Sequence, residues 1–85
     1  MTNMKNAIEI QEQKKYGTTY HNVVGTSFYL WFDSHQINQY KWVINSWDNN
    51  DLCAFCANNN ERLFKTKGEA IYAMQKFLRQ TSGLA

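Results

Sequence analysis

Residues 63–78 read as the end of a strand, a helix cap and one amphipathic helix, with apolar positions at helical spacing from Ala70 to Leu78. Ala70, Ile71, Met74, Phe77 and Leu78 form one stripe, and Tyr72, Lys76 and Arg79 fall on a different side. Thr66 followed by Glu69 is a capping-box pattern: the hydroxyl accepts from the Glu69 amide and the carboxylate reaches back to the amide of Thr66. Thr81, Ser82 and Gly83 supply a stop. The spacing predicts one amphipathic helix over 66–80.

Upstream, the pattern shifts to strands. Phe28-Tyr29-Leu30-Trp31-Phe32 is a continuous apolar run closed by Asp33-Ser34. Residues 40–47 alternate, with Tyr40, Trp42 and Ile44 on one face and Lys41, Val43, Asn45 and Trp47 on the other. Residues 48–51, Asp-Asn-Asn-Asp, read as a turn, because Asn and Asp tolerate left-handed dihedrals. A third strand is then expected over 52–57, a turn at 58–60 and a short strand over 61–65. Residues 20–24 form a strand ending at Gly25, after a turn at Tyr16-Gly17-Thr18-Thr19. Residues 1–15 read as a short strand or an ordered arm, with a polar helix as the competing pattern over 5–15. The expected fold class is α+β, an antiparallel meander of about four strands over 20–65 with one C-terminal helix across one face.

Composition agrees with one small folded domain spanning residues 1–85. The chain has 85 residues, 44% hydrophobic and 15% aromatic, which is too apolar for a disordered chain. No apolar segment long enough to span a membrane is present, and no apolar leader follows Met1, so a cytoplasmic location is expected. The net charge of +2 is unevenly spread. From Glu61 onward Arg62, Lys65, Lys67, Lys76 and Arg79 stand against Glu61 and Glu69, whereas residues 1–60 carry four basic against five acidic side chains. That basic end suits an acidic partner, protein or nucleic acid; the plainer reading is a solvated helix face.

Few residues carry candidate chemistry. Cys53-Ala54-Phe55-Cys56 has C-x-x-C spacing, and His21 and His35 complete four formal zinc ligands. The motif stands alone, the histidine spacing is not that of a zinc finger, and in a strand residues three apart point to opposite faces. Redox pairs place the first Cys at a helix N-terminus, and none is expected at this point. Two small buried residues are therefore expected, with no metal and no cofactor. His21 and His35 have no nucleophile or carboxylate at a spacing that marks a catalytic set, and no Gly-rich phosphate loop is present. The chain is expected not to be an enzyme.

The rings are more informative. Tyr29, Trp31, Tyr40, Trp42, Trp47 and Phe55 exceed what one helix can cover. Either a partner takes the remainder or the N-terminal arm closes a second small core. Basic residues interleave poorly with these rings, Lys41 being the sole one within the three predicted strands before Glu61, which favours protein over single-stranded nucleic acid. The candidate partner-binding residues are Trp31, Lys41, Trp42, Trp47, Lys65, Lys67, Tyr72, Lys76 and Arg79.

Three resemblances add expectations. Strands running into Phe64-Lys65-Thr66-Lys67, then Glu69-Ala70 and a helix, resemble the strand-strand-strand-helix domains that bind arm-type DNA sites in tyrosine integrases, and the plant AP2 type. Those families read the major groove with Arg and Trp on the sheet, a role that here falls to Lys41 and Trp42. The same junction, with Tyr40-Lys41-Trp42-Val43-Ile44, is similar to small bacterial sheet-plus-helix modules of unassigned function. In size and style the chain also resembles phage-encoded host-takeover proteins, including anti-CRISPR proteins. That resemblance implies an inhibitor in the host cytoplasm that docks on a host protein or protein–nucleic-acid complex, with a homodimer as an open alternative. The competing expectation is a small DNA- or RNA-binding domain that uses its sheet.

Overall fold

The computed structural model describes residues 8–59 and 61–81. The expectations for residues 1–7, for Asn60 and for the Ser82-Gly83 stop lie outside the described residues. The elements in chain order are β1 (Ile10–Lys15), β2 (Thr18–Val23), β3 (Phe28–Phe32), β4 (Trp42–Ser46), α1 (Asn49–Asn59), β5 (Leu63–Phe64) and α2 (Lys67–Thr81). The fold is α+β. The strands form one antiparallel sheet in the order β1-β2-β3-β4-β5, so the meander stands, with five strands and two helices.

The second helix corrects the expected turn at 48–51, the expected strand at 52–57 and, at residues 58 and 59, the expected turn at 58–60. Asp48 is an N-cap: its Oδ1 accepts from the amides of Asn50 at 2.8 Å and Asp51 at 3.3 Å. The Asp48 carbonyl then accepts from the Leu52 amide at 3.1 Å, which closes the first helical turn. Leu52, Phe55 and Cys56 follow at helical spacing, and all three turn inward to some degree. Phe55 is fully buried at the centre of the core.

At the start of α2, Thr66 Oγ1 accepts from the Glu69 amide at 3.1 Å, as the capping box requires. The return bond differs from the expectation. Glu69 Oε1 accepts from the amide of Lys65 at 3.3 Å, one residue before the cap. The expected stripe faces inward: Ala70, Met74 and Phe77 are buried, and Ile71 and Leu78 flank them.

Both helices lie on one face of the sheet. Val23 of β2, Phe28 and Leu30 of β3 and Ile44 of β4 meet Phe55 of α1 and Ala70, Met74 and Phe77 of α2 in a single core. Phe28, Phe55 and Phe77 make mutual edge-on or tilted contacts with centroids 5.1–5.9 Å apart.

β1 and β2 form a hairpin joined by Tyr16-Gly17. Both turn residues have positive φ, 54° and 78°, as in the two-residue turns whose twist matches that of the flanking strands. The expected turn was longer by Thr18 and Thr19, which belong to β2. The hairpin joins the rest of the sheet at two registered pairs, His21↔Leu30 and Asn22↔Tyr29. Its tip therefore diverges from β3, although β3 stays paired to β4 along its whole length.

Candidate functional site

The sheet face away from the helices presents Gln11, Gln13 and Lys15 of β1, Tyr20 and Asn22 of β2, Tyr29 and Trp31 of β3, and Val43 and Asn45 of β4. Neither α1 nor α2 covers it. Trp47, just past the end of β4, folds back over this face. Its ring stacks on Tyr29 with centroids 4.2 Å apart and planes 29° from parallel. Tyr20 closes the group, edge-on to Tyr29 at 5.1 Å and tilted against Trp47 at 5.3 Å. Trp47 Nε1 donates to Asn22 Oδ1 at 3.3 Å, and Asn22 Nδ2 donates to Gln13 Oε1 at 3.0 Å. The Lys15 ammonium stands 5.7 Å from the centre of the Trp47 ring.

These rings partly shelter one another. Tyr29 and Val43 are buried, and burial raises the Tyr29 phenol pKa above its usual 10.0; Tyr20 adds to the rise and Arg62 opposes it. Trp47, by contrast, leaves 54% of its surface to solvent. Trp31 is half-buried, and its Nε1 is buried without a hydrogen-bond partner among the described residues. The surplus of rings inferred above is thus reduced, because α1 carries Phe55 into the core and Trp47 covers Tyr29. It is not abolished.

The nine candidate residues do not form one surface. Trp31 and Trp47 lie on the open face. Trp42 lies on the helix side, half-buried beside the core and edge-on to His21 and Phe32. Lys41 Nζ donates to the carbonyl of Gln36 and ties down the loop between β3 and β4. Lys65 stands 5.6 Å from the centre of the Tyr40 ring. Tyr72, Lys76 and Arg79 share the exposed side of α2, and the charge of Lys67 reaches His21. Two residues escaped the sequence reading. Lys15 joins the open face only because β1 is a strand of this register. Tyr16 is 92% exposed at a turn position where its backbone is left-handed.

Where the hairpin tip diverges from β3, a cleft of about 300 Å³ opens, and both histidines, Trp31, Asp33 and Ser34 line it. Asp33 is committed to its own loop: its carboxylate accepts from the His35 amide at 3.0 Å and from Gln36 Nε2 at 3.2 Å. His21 is buried, with Nδ1 3.7 Å from Glu12 Oε2, too far for a hydrogen bond. Among the described residues neither imidazole is hydrogen-bonded to a hydroxyl or a carboxylate, so no nucleophile–base pair is assembled.

Cys53 and Cys56 lie on α1, not on a strand, so they sit on neighbouring positions of one helix and the argument from opposite strand faces falls. Both thiols are free. Cys53, the fifth residue of α1, is exposed and Cys56 is half-buried, so neither is the small buried residue expected. Among the described residues, no group of three or more His, Cys, Asp or Glu side chains is placed to hold a metal ion. No described helix is long and apolar enough to cross a membrane.

No protein family, curated protein or solved structure matches this chain. The resemblance to integrase arm-binding domains loses its third consecutive strand, because α1 occupies that stretch between β4 and β5.

Proposed function

We propose that this protein is a non-enzymatic binding module that docks on a protein partner through the open sheet face, with Trp47 as the anchor. One observation carries the reading: Trp47 is held in place by Tyr29, Tyr20 and Asn22, yet half of it remains in water on a face that neither helix covers. A pre-positioned, half-exposed Trp loses little conformational freedom on binding, and Trp and Tyr are the residues that most often dominate interface energies. Lys15 beside Trp47 extends the same surface. The narrower reading is a phage or mobile-element inhibitor, acting in the host cytoplasm on a nucleic-acid-processing complex. It is supported by the resemblance in size and style.

The test is site-specific photo-crosslinking in cells, with the crosslinking residue placed in turn at positions 31, 47 and 76. One discrete partner captured from 47 and 31, and lost with Tyr29→Ala, is expected. Capture from position 76 alone would remove the open face from the reading.

Single-stranded nucleic acid on the same face is the second reading, favoured by the lysine beside the Trp47 ring. It predicts a mobility shift at low salt that Lys15→Ala weakens and added salt abolishes. The stack of Trp47 on Tyr29 argues against it, because that contact occupies ring surface on which a base would lie.

A further inference from the structure

The two edges of the sheet are unequal. β5 is two residues long and leads directly into α2. β1 is six residues long, and no strand pairs with its outer side among the described residues. It contains no proline and no bulge interrupts its ladder with β2, so nothing in its backbone blocks a further strand.

Its charges have a register. In an antiparallel pair of identical strands that keeps both helix layers on the same side, a residue faces one of like parity, so the symmetry axis passes through a single residue. An axis through Glu12 sets two carboxylates opposite each other. An axis through Lys14 sets two ammonium groups opposite each other. An axis through Gln13 sets Glu12 against Lys14 of the second copy, Lys14 against Glu12, and Gln11 against Lys15, while Gln13 meets itself. Of these three registers only the one centred on Gln13 is free of like-charge opposition, and it makes two opposite-charge pairs. An axis through Gln11 also avoids like charges but pairs only three residues of β1 and makes no opposite-charge pair within it.

We infer that β1 pairs antiparallel with β1 of a second copy of this chain, about a two-fold axis at Gln13, which joins two five-stranded sheets into one. Pairing of β1 with β5 of another copy is ruled out by the length of β5, so assembly stops at the dimer. The two open faces then lie side by side, with the Lys15 and Trp47 groups flanking the axis. The inference uses the outer edge of β1 and does not depend on the docking role of the open face.

Sedimentation equilibrium of the full chain tests it. The wild type is expected to dimerise reversibly. Glu12→Lys and Lys14→Glu, each alone, set like charges together and are expected to weaken the dimer by about ten-fold or more. The double variant Glu12→Lys/Lys14→Glu restores both opposite-charge pairs and is expected to recover wild-type affinity. A second measurement covers the case of a variant that folds poorly: in a Cys53→Ser/Cys56→Ser background, Gln13→Cys is expected to form a covalent dimer on mild oxidation faster than Gln11→Cys or Lys15→Cys. A wild type that stays monomeric at the highest soluble concentration overturns the inference. So does a dimer indifferent to the charge reversals, or one whose double variant stays weak.

Discussion

Tyr29 and Trp47 stack face to face on the side of the sheet that the helices leave open, and the first is buried by the second. An aromatic pair of this kind contributes about 0.5–1.5 kcal/mol beyond the area it buries. Trp47→Ala removes the cover from Tyr29 and the donor to Asn22, while half of the lost ring already faced water. A loss of about 1–2 kcal/mol is expected by urea unfolding. Trp47→Phe keeps the stack and should lose less than half as much. If the open face is the docking surface, Trp47→Phe nonetheless weakens partner binding, so that affinity and stability separate.

Tyr16 adopts a left-handed backbone at φ 54° with its side chain almost wholly in solvent. That conformation costs a non-glycine residue roughly 1–2 kcal/mol, and Asn bears it more easily. Tyr16→Asn should therefore raise stability by about 0.5–1 kcal/mol, because no packing is lost. Gly17→Ala should lower it by about 1 kcal/mol, since the open space around Gly17 does nothing to relieve its φ of 78°. Thermal unfolding of the two variants checks both signs. A strained, exposed Tyr at a hairpin tip is also what a contact residue looks like when stability has been given up for binding.

What could be read in advance follows from how uniquely a stretch matches one period. The run Phe28–Phe32 fits a strand and is too short for a helix of its own, and α2 announces itself by a cap followed by a five-residue stripe. Residues 52–57 satisfy both patterns: Leu52, Ala54 and Cys56 alternate, while Leu52, Phe55 and Cys56 keep helical spacing. Asp48 settles the matter through its side chain, yet Asp opens turns and caps helices alike. β1, expected as a short strand or an ordered arm with a polar helix as the competing pattern, is a strand whose sequence is ambiguous for another reason. Along it only Ile10 packs against the core, so an edge strand of five polar residues carries almost no period of its own. The open face is defined by where both helices pack, which no single stretch of sequence specifies. It was the second helix that moved Phe55 inside, and it was β1 that added Lys15.

The correction at α1 is itself testable. Asp48→Ala removes the acceptor for two helix amides and is expected to cost about 1 kcal/mol. Phe55→Ala opens a cavity among Phe28, Phe77 and Met74 and should cost about 3–5 kcal/mol, near the limit of what a domain of this size tolerates. Cys53→Ala, on the exposed side of the same helix, should change stability by less than about 0.5 kcal/mol. Were residues 52–57 a strand, Cys53 and Phe55 would share a face and the contrast between them would shrink.

His21 makes stability depend on pH in a direction that its neighbours fix. Burial against the core holds its pKa below the ordinary 6.5; the charge of Lys67 lowers it further, and Glu12 partly opposes both. Above pH 6.5 the imidazole is neutral in the folded and the unfolded chain, so its contribution is fully present. As the pH falls below 6.5 the unfolded chain takes up the proton first, and by linkage stability declines until the lowered folded value is reached. Urea midpoints at about pH 7.5 and about pH 5 measure the decline, a window in which unperturbed carboxylates stay mostly ionised. Lys67→Ala should make the decline shallower and Glu12→Gln should make it steeper, because the first removes a charge that disfavours protonation and the second one that favours it. His21→Asn should remove most of it. A decline that survives His21→Asn unchanged would assign the pH dependence to other groups.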